Sequence, residues 1–202
     1  MKKISLLTVA LIAVLALCVG TASAQTASIG YQGMAGTGTN ILSGLSVRGW
    51  VDVIGWEGTL FFGREDTEYK NTNGSYNSEA DTDIWALDLQ VMYAIIAKEN
   101  SKLYLGLDFG IGRMNTESSY NYPLNTPPSS GSDETDTDFW FAGPLVGAQY
   151  SLQGIPELSF NWEVGYTFMN ASEENADNGA AYSETDTNLD GMNTTIGVHY
   201  AF

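Results

Sequence analysis

The sequence predicts an all-β fold, an eight-stranded antiparallel up-and-down transmembrane β-barrel. Three observations predict it. Eight segments alternate apolar and polar residues with period two, and the links between them alternate long and short. One face of these segments is nearly pure apolar, while the other is mixed and small, as suits lipid outside and a packed lumen inside. No helical period competes. Beyond the N-terminal leader, no segment is apolar over the about 20 residues a membrane helix needs. Strands that cross a membrane must close into a ring, because an open edge leaves backbone groups unpaired in lipid.

Composition narrows the function. Of 202 residues 16% are charged, below the about 25% usual for soluble domains. The 24 acidic residues face only 8 basic ones, so no basic face exists for nucleic acid. One Cys precludes a disulfide framework. An aromatic share of 12% does not suit a disordered acidic tail.

Residues 1–24 are expected to be a cleaved secretory signal, and residues 25–202 a single barrel domain. Lys2 and Lys3 form the charged start, Leu6 to Val19 the apolar run, and Ala22-Ser23-Ala24 the small-residue cleavage site. Leu17 before Cys18 argues against lipidation. Cleavage would remove the only Cys and two Lys, leaving 6 basic against 24 acidic residues.

The strands are expected at about 26–35, 43–53, 55–65, 83–97, 102–114, 138–152, 157–169 and 191–202. Gly30 in the first, Arg48 and Trp50 in the second and Phe61 in the third point inward. In the fourth, Trp85, Leu87, Leu89, Val91, Tyr93 and Ile95 oppose Ala86, Asp88, Gln90 and Met92. The fifth sets Leu103, Leu105, Leu107, Phe109 and Ile111 against Tyr104, Gly106, Asp108, Gly110 and Gly112. Gly143-Pro144 interrupts the sixth, where a bulge is expected because Pro removes a ladder bond. The facing of Phe139 to Ala142 is therefore open. The seventh turns Leu158, Phe160, Trp162, Val164, Tyr166 and Phe168 outward, and the eighth Ile196, Val198, Tyr200 and Phe202. Short turns fall near 54, 98–101 and 153–156, and long loops at 36–42, 66–82, 115–137 and 170–190. Trp85, Trp140 and Phe168 lie near the long loops, and Trp56, Tyr93, Tyr150, Phe160, Tyr200 and Phe202 near the short turns. These heights match the two aromatic girdles of a membrane barrel. A soluble barrel would instead put its apolar face inward.

The leader, the eight-strand plan and the terminal Gly197-Val198-His199-Tyr200-Ala201-Phe202 resemble small outer-membrane barrels of the OmpA, OmpX and OmpW kind. The resemblance spans residues 25–202. It implies residence in the outer membrane of a Gram-negative bacterium, contact with membrane lipid and lipopolysaccharide, and a monomer. It also implies that the last strand, with Tyr200 and Phe202, is read by the barrel-insertion machinery. It says little about activity, since fold does not imply function.

Arg48, Asp88, Asp108 and Glu163 are expected near mid-height in the lumen. Eight strands leave an interior that side chains just fill. One guanidinium cannot neutralise three carboxylates, so the remainder should hold a proton, recruit water or bind a cation. The leading expectation is a plug around Arg48. The alternative is a narrow conduit for small apolar solutes, as the resemblance to OmpW allows, with inward Gly giving room and Trp50, Phe61, Tyr104 and Met92 as lining.

Most acidity lies in three loops: residues 65–83, 115–138 and 173–190 hold 17 of the 24 carboxylates. Each loop re-enters the barrel through a near-repeat: Glu79-Ala-Asp81-Thr-Asp83, Glu134-Thr-Asp136-Thr-Asp138 and Glu184-Thr-Asp186-Thr-Asn188, followed by Asp190. Period two sets these acids on the lipid-facing side, just above the membrane. They are either solvated strand ends that discourage edge pairing, or Ca²⁺ or Mg²⁺ ligands bridging to lipopolysaccharide phosphates, with Arg64 and Arg113 touching those phosphates directly. Asp186 to Gly191 resembles half an EF-hand loop, but Gly197 stands where its bidentate Glu belongs. No cofactor is expected apart from such rim cations. The exposed loops are candidate sites for a surface ligand. The only His, His199, lies three residues from the C-terminus with no activated nucleophile beside it, so no enzyme is expected.

Overall fold

The computed structural model describes residues 26–36, 39–70, 77–122, 129–175 and 183–202. The expected signal segment, Cys18 and Pro127-Pro128 lie outside these residues.

Eight strands follow one another: β1 (Thr26–Gly36), β2 (Thr39–Val51), β3 (Ile54–Lys70), β4 (Asn77–Lys98), β5 (Ser101–Tyr122), β6 (Ser129–Leu152), β7 (Ile155–Asn175) and β8 (Ser183–Ala201). Each pairs antiparallel with its sequence neighbours, and β1 pairs with β8 to close the ring. Closure leaves no sheet edge exposed to lipid.

The apolar positions face outward. Leu45, Val91, Leu107 and Ile196 are each more than 60% exposed. Leu105, Phe109, Trp162, Phe168 and Tyr200 stand on the same outer wall. A belt this large is stable only against lipid. The first short turn is Asp52-Val53, slightly earlier than expected. Asp52 takes the left-handed conformation there (φ 54°), which suits a two-residue hairpin turn and which Asp tolerates.

Two expectations are corrected. The long loops at 66–82, 115–137 and 170–190 are largely strand. β5 and β6 stay in one unbroken register from Ser101↔Tyr150 to Tyr122↔Ser129, and β7 and β8 from Leu158↔Tyr200 to Asn175↔Ser183. Above the membrane both faces of these ribbons meet water, so their alternation is polar on polar and carries no apolar signal. The expected bulge at Gly143-Pro144 is also absent. β6 keeps the same register with β7 on both sides, Ala142↔Phe168 and Leu145↔Gly165. Pro144 takes an exposed outward position, and Gly143 lets the β7 backbone approach at the Tyr166 carbonyl. Phe139 and Phe141 thus face inward and Trp140 outward.

The interior is layered. Towards the tall end, Leu42, Phe61, Ala86 and Phe141 form an apolar layer backed by Met34, Ile84, Phe139 and Met169. Towards the short turns, Trp50, Met92, Ala94, Tyr104 and Leu145 form a second. Buried polar side chains fill the space between.

Candidate functional site: a polar layer across the lumen

Arg48 is the hub of this layer. It is 1% exposed. Its Nε donates to Glu57 Oε2 at 2.7 Å, and its Nη2 donates to the same oxygen and to Glu163 Oε1 at 2.5 Å. Nη1 reaches the Tyr104 hydroxyl at 3.2 Å and Gln149 Oε1 at 3.5 Å. The Tyr104 hydroxyl donates to Glu163 Oε1 at 2.7 Å.

The other strands join through the same carboxylates. Gln32 Nε2 donates to Glu57, and Gln90 Nε2 reaches Glu163 Oε2 at 3.4 Å. Asn161 Nδ2 lies 3.3 Å from Glu163 Oε1. His199 Nε2 lies 2.9 Å from Glu57 Oε1. All eight strands therefore contribute to one hydrogen-bonded network: Gln32, Arg48, Glu57, Gln90, Tyr104, Gln149, Glu163 and His199, in order from β1 to β8. Two carboxylates on one guanidinium, with further donors around each, is how a buried charge is retained at tolerable cost.

Several inward Gly positions make room for rings. A Cβ at Gly55 would lie 2.8 Å from the Trp50 ring, and one at Gly44 would lie 2.9 Å from Phe61. Gly147 receives the Tyr104 ring, Gly110 that of Phe141 and Gly30 that of His199. Trp50 and Tyr104 pack edge to face, 5.5 Å between centroids.

Ser46, His199 and Glu57 look at first like a catalytic triad. Ser46 Oγ is 2.8 Å from His199 Nε2, and Glu57 approaches that same nitrogen, while Nδ1 has no partner. A relay needs the acid on one ring nitrogen and the nucleophile on the other. All three side chains are buried in the lumen. The arrangement cross-links strands.

At the outer rim the predicted acids occupy outward positions on the extended ribbons. Arg113 grips Asp138 bidentately at 2.6 and 2.9 Å and holds its carboxyl below the usual range. Asn115 Nδ2 reaches Asp136 at 2.9 Å and Glu134 at 3.2 Å. Arg64 bonds Asp66 at 3.0 Å, lowering that carboxyl, and approaches Asp81 at 3.7 Å. Both guanidiniums expected to meet phosphates directly are thus engaged with carboxylates. Asp83 faces Arg64 across the β3–β4 ladder, Asp186 faces Ser172 across β7–β8, and Asp190 bonds the Tyr166 hydroxyl. The register sets Asp66, Asp81, Glu117 and Glu134 in one row over four adjacent strands. Among the described residues, no three His, Cys, Asp or Glu side chains group to hold a metal.

A family model for the outer membrane protein beta-barrel domain matches residues 9–202. The chain belongs to that family. It is an outer-membrane β-barrel. A major outer membrane protein from Thermus thermophilus is similar in fold at 15% identity, with 88% of this chain and 98% of that one covered and a TM-score of 0.54. OprG from Pseudomonas aeruginosa has 15% identity, 89% and 97% coverage and a TM-score of 0.54. The outer membrane protease OmpT from Escherichia coli has 10% identity, 89% and 98% coverage and a TM-score of 0.50. No curated protein matches. At these identities the likeness is one of fold.

Of the expected lumen residues, Arg48 and Glu163 meet directly. Asp88 joins only through Gln90 Nε2, at 3.0 Å, and Asp108 lies outside the side-chain network. Sequence reasoning missed Glu57, the main partner of Arg48. The signal was available: Glu57 shares its face with inward Phe61, and a two-residue turn at 52–53 pairs 48 with 57.

Proposed function

We propose that this protein is a sealed structural barrel of the outer membrane whose acidic outer ribbons form a surface-interaction face, and that it is not an enzyme. One observation carries the reading: a single buried network draws a side chain from every strand and lies between two apolar layers. Gln32, Arg48, Glu57, Thr59, Phe61, Met92, Tyr104 and His199 are each at most 1% exposed, which supports a closed lumen. The alternative of a narrow conduit for small apolar solutes is weaker, because rings occupy the space beside Gly30, Gly44, Gly55, Gly110, Gly112 and Gly147.

The outer rim favours association with divalent cations and lipopolysaccharide. Like charges directly opposite each other destabilise a sheet, and the Asp66–Asp81–Glu117–Glu134 row sets four acids side by side. Ca²⁺ or Mg²⁺ shared between neighbouring carboxylates and lipid phosphates would relieve that repulsion. At the other end, outward Tyr200 and Phe202 of the last strand are the residues we assign to recognition by the insertion machinery.

Single-channel conductance of the refolded protein in planar bilayers tests the reading. Demonstrably inserted wild type should be silent with and without Ca²⁺, and Arg48→Ala should leak. Reproducible discrete steps from wild type would overturn the sealed barrel and favour the conduit.

A further inference from the structure

The polar layer contains a second cluster that the Arg48 network does not satisfy. Thr59 on β3, Asp88 and Gln90 on β4 and Asp108 on β5 all face the lumen, at adjacent positions: Thr59 pairs with Asp88 and Gln90 with Asp108. They are 0, 4, 5 and 7% exposed respectively. Each has a buried oxygen without a hydrogen-bond partner: Thr59 Oγ1, Asp88 Oδ1, Gln90 Oε1 and Asp108 Oδ1. The Gln90 amide cannot be turned to donate there, because its Nε2 already serves Asp88 Oδ2 and Glu163.

Charge makes the same point. Arg48 is committed to Glu57 and Glu163. Asp88 and Asp108 bring two further negative charges, and among the described residues no salt bridge reaches either. Buried carboxylates without a countercharge are costly to keep ionised. A proton would neutralise one carboxyl and supply one donor. A divalent cation would answer both charges at once and offer a partner to the unsatisfied oxygens. The donor set is two carboxylates, an amide oxygen and a hydroxyl, without nitrogen or sulfur, which selects a hard cation.

We infer that β3, β4 and β5 hold a buried divalent cation of the calcium class, ligated by Thr59, Asp88, Gln90 and Asp108. This site is separate from the acidic rim and from the surface role. Its enclosure by the two apolar layers makes exchange slow, which distinguishes it from any rim cation.

The protein refolded into phospholipid vesicles with Ca²⁺ is washed with a chelator, and its retained metal is measured. Wild type should keep about one Ca²⁺ per chain, with an unfolding midpoint higher than after refolding without metal. Asp88→Asn with Asp108→Asn should fold, since it removes buried charge, but should retain no Ca²⁺ and lose the metal-dependent shift. Asp81→Asn with Asp136→Asn at the rim should retain it fully. Wild type that retains no metal and unfolds identically with and without it would overturn the site and leave a protonated pair as the explanation. Retention by the Asp88/Asp108 double variant would also overturn it, placing the metal elsewhere. Conductance measured in parallel reports closure of the lumen independently of metal.

Discussion

Glu57→Gln is the sharpest perturbation of the polar layer. The substitution keeps the side chain's volume, removes its charge and replaces one acceptor oxygen with an NH2 donor. Glu57 takes two hydrogen bonds from Arg48 and one from Gln32, and it faces His199. Removing one partner of a buried ion pair costs about 3–5 kcal/mol, mostly because the other charge is stranded. Arg48 would still hold Glu163 at 2.5 Å, so the loss should sit near the lower end, about 3 kcal/mol. Against a typical stability of about 5–15 kcal/mol, that is easily measured. Urea unfolding in vesicles, followed by tryptophan fluorescence and gel mobility, should show a lower midpoint with unchanged slope. Combined with Arg48→Met, the effect should be non-additive by about 0.5–3 kcal/mol. A loss below about 0.5 kcal/mol would refute the reasoning. It would mean that water, not protein, satisfies these charges, and a hydrated layer does not seal a barrel.

Three further outcomes are expected. Gly147→Ala would drive a Cβ into the Tyr104 ring and should destabilise by about 1–3 kcal/mol in the same unfolding assay. Asp138 is held below its ordinary pKa by Arg113. Its stabilising effect is therefore full above about pH 4 and fades as pH falls through the depressed value. Because both partners are largely exposed, the effect should stay below about 1 kcal/mol. Amide protection factors in the β5–β6 ribbon, corrected for the intrinsic pH dependence of exchange, should fall on acidification in wild type and change less in Asp138→Asn. At the rim, changing Asp81, Asp83, Asp136 and Asp138 to Asn should reduce the readily chelated Ca²⁺ bound by the refolded protein; unchanged binding would remove the cation-bridge reading.

The residues that were legible in sequence were those with a lipid partner. In β4, β5, β7 and β8 each apolar side chain repeats every second position, because every one answers the same solvent. The extended ribbons were not legible. Thr116 and Thr135 alternate with acids as a strand should, yet no apolar residue on either face gives a hydropathy contrast. At Pro144 the expected bulge failed for a related reason. A Pro whose ring faces lipid and whose neighbour is Gly is absorbed by losing pairing at two positions, without any shift of register.

Taken alone, the sequence determined strand number, closure and, apart from residues 139–142 of β6, facing, because bilayer and backbone impose one period on every strand. It also determined that Arg48, Asp88, Asp108 and Glu163 share the interior. Which of them meet was decided only in three dimensions. Inward facing gives a height along one strand, whereas contact across a lumen depends on the register and stagger of eight strands together. That geometry gave Arg48 to Glu57 and Glu163, and left Asp88 and Asp108 beside Thr59 and Gln90 with oxygens unanswered.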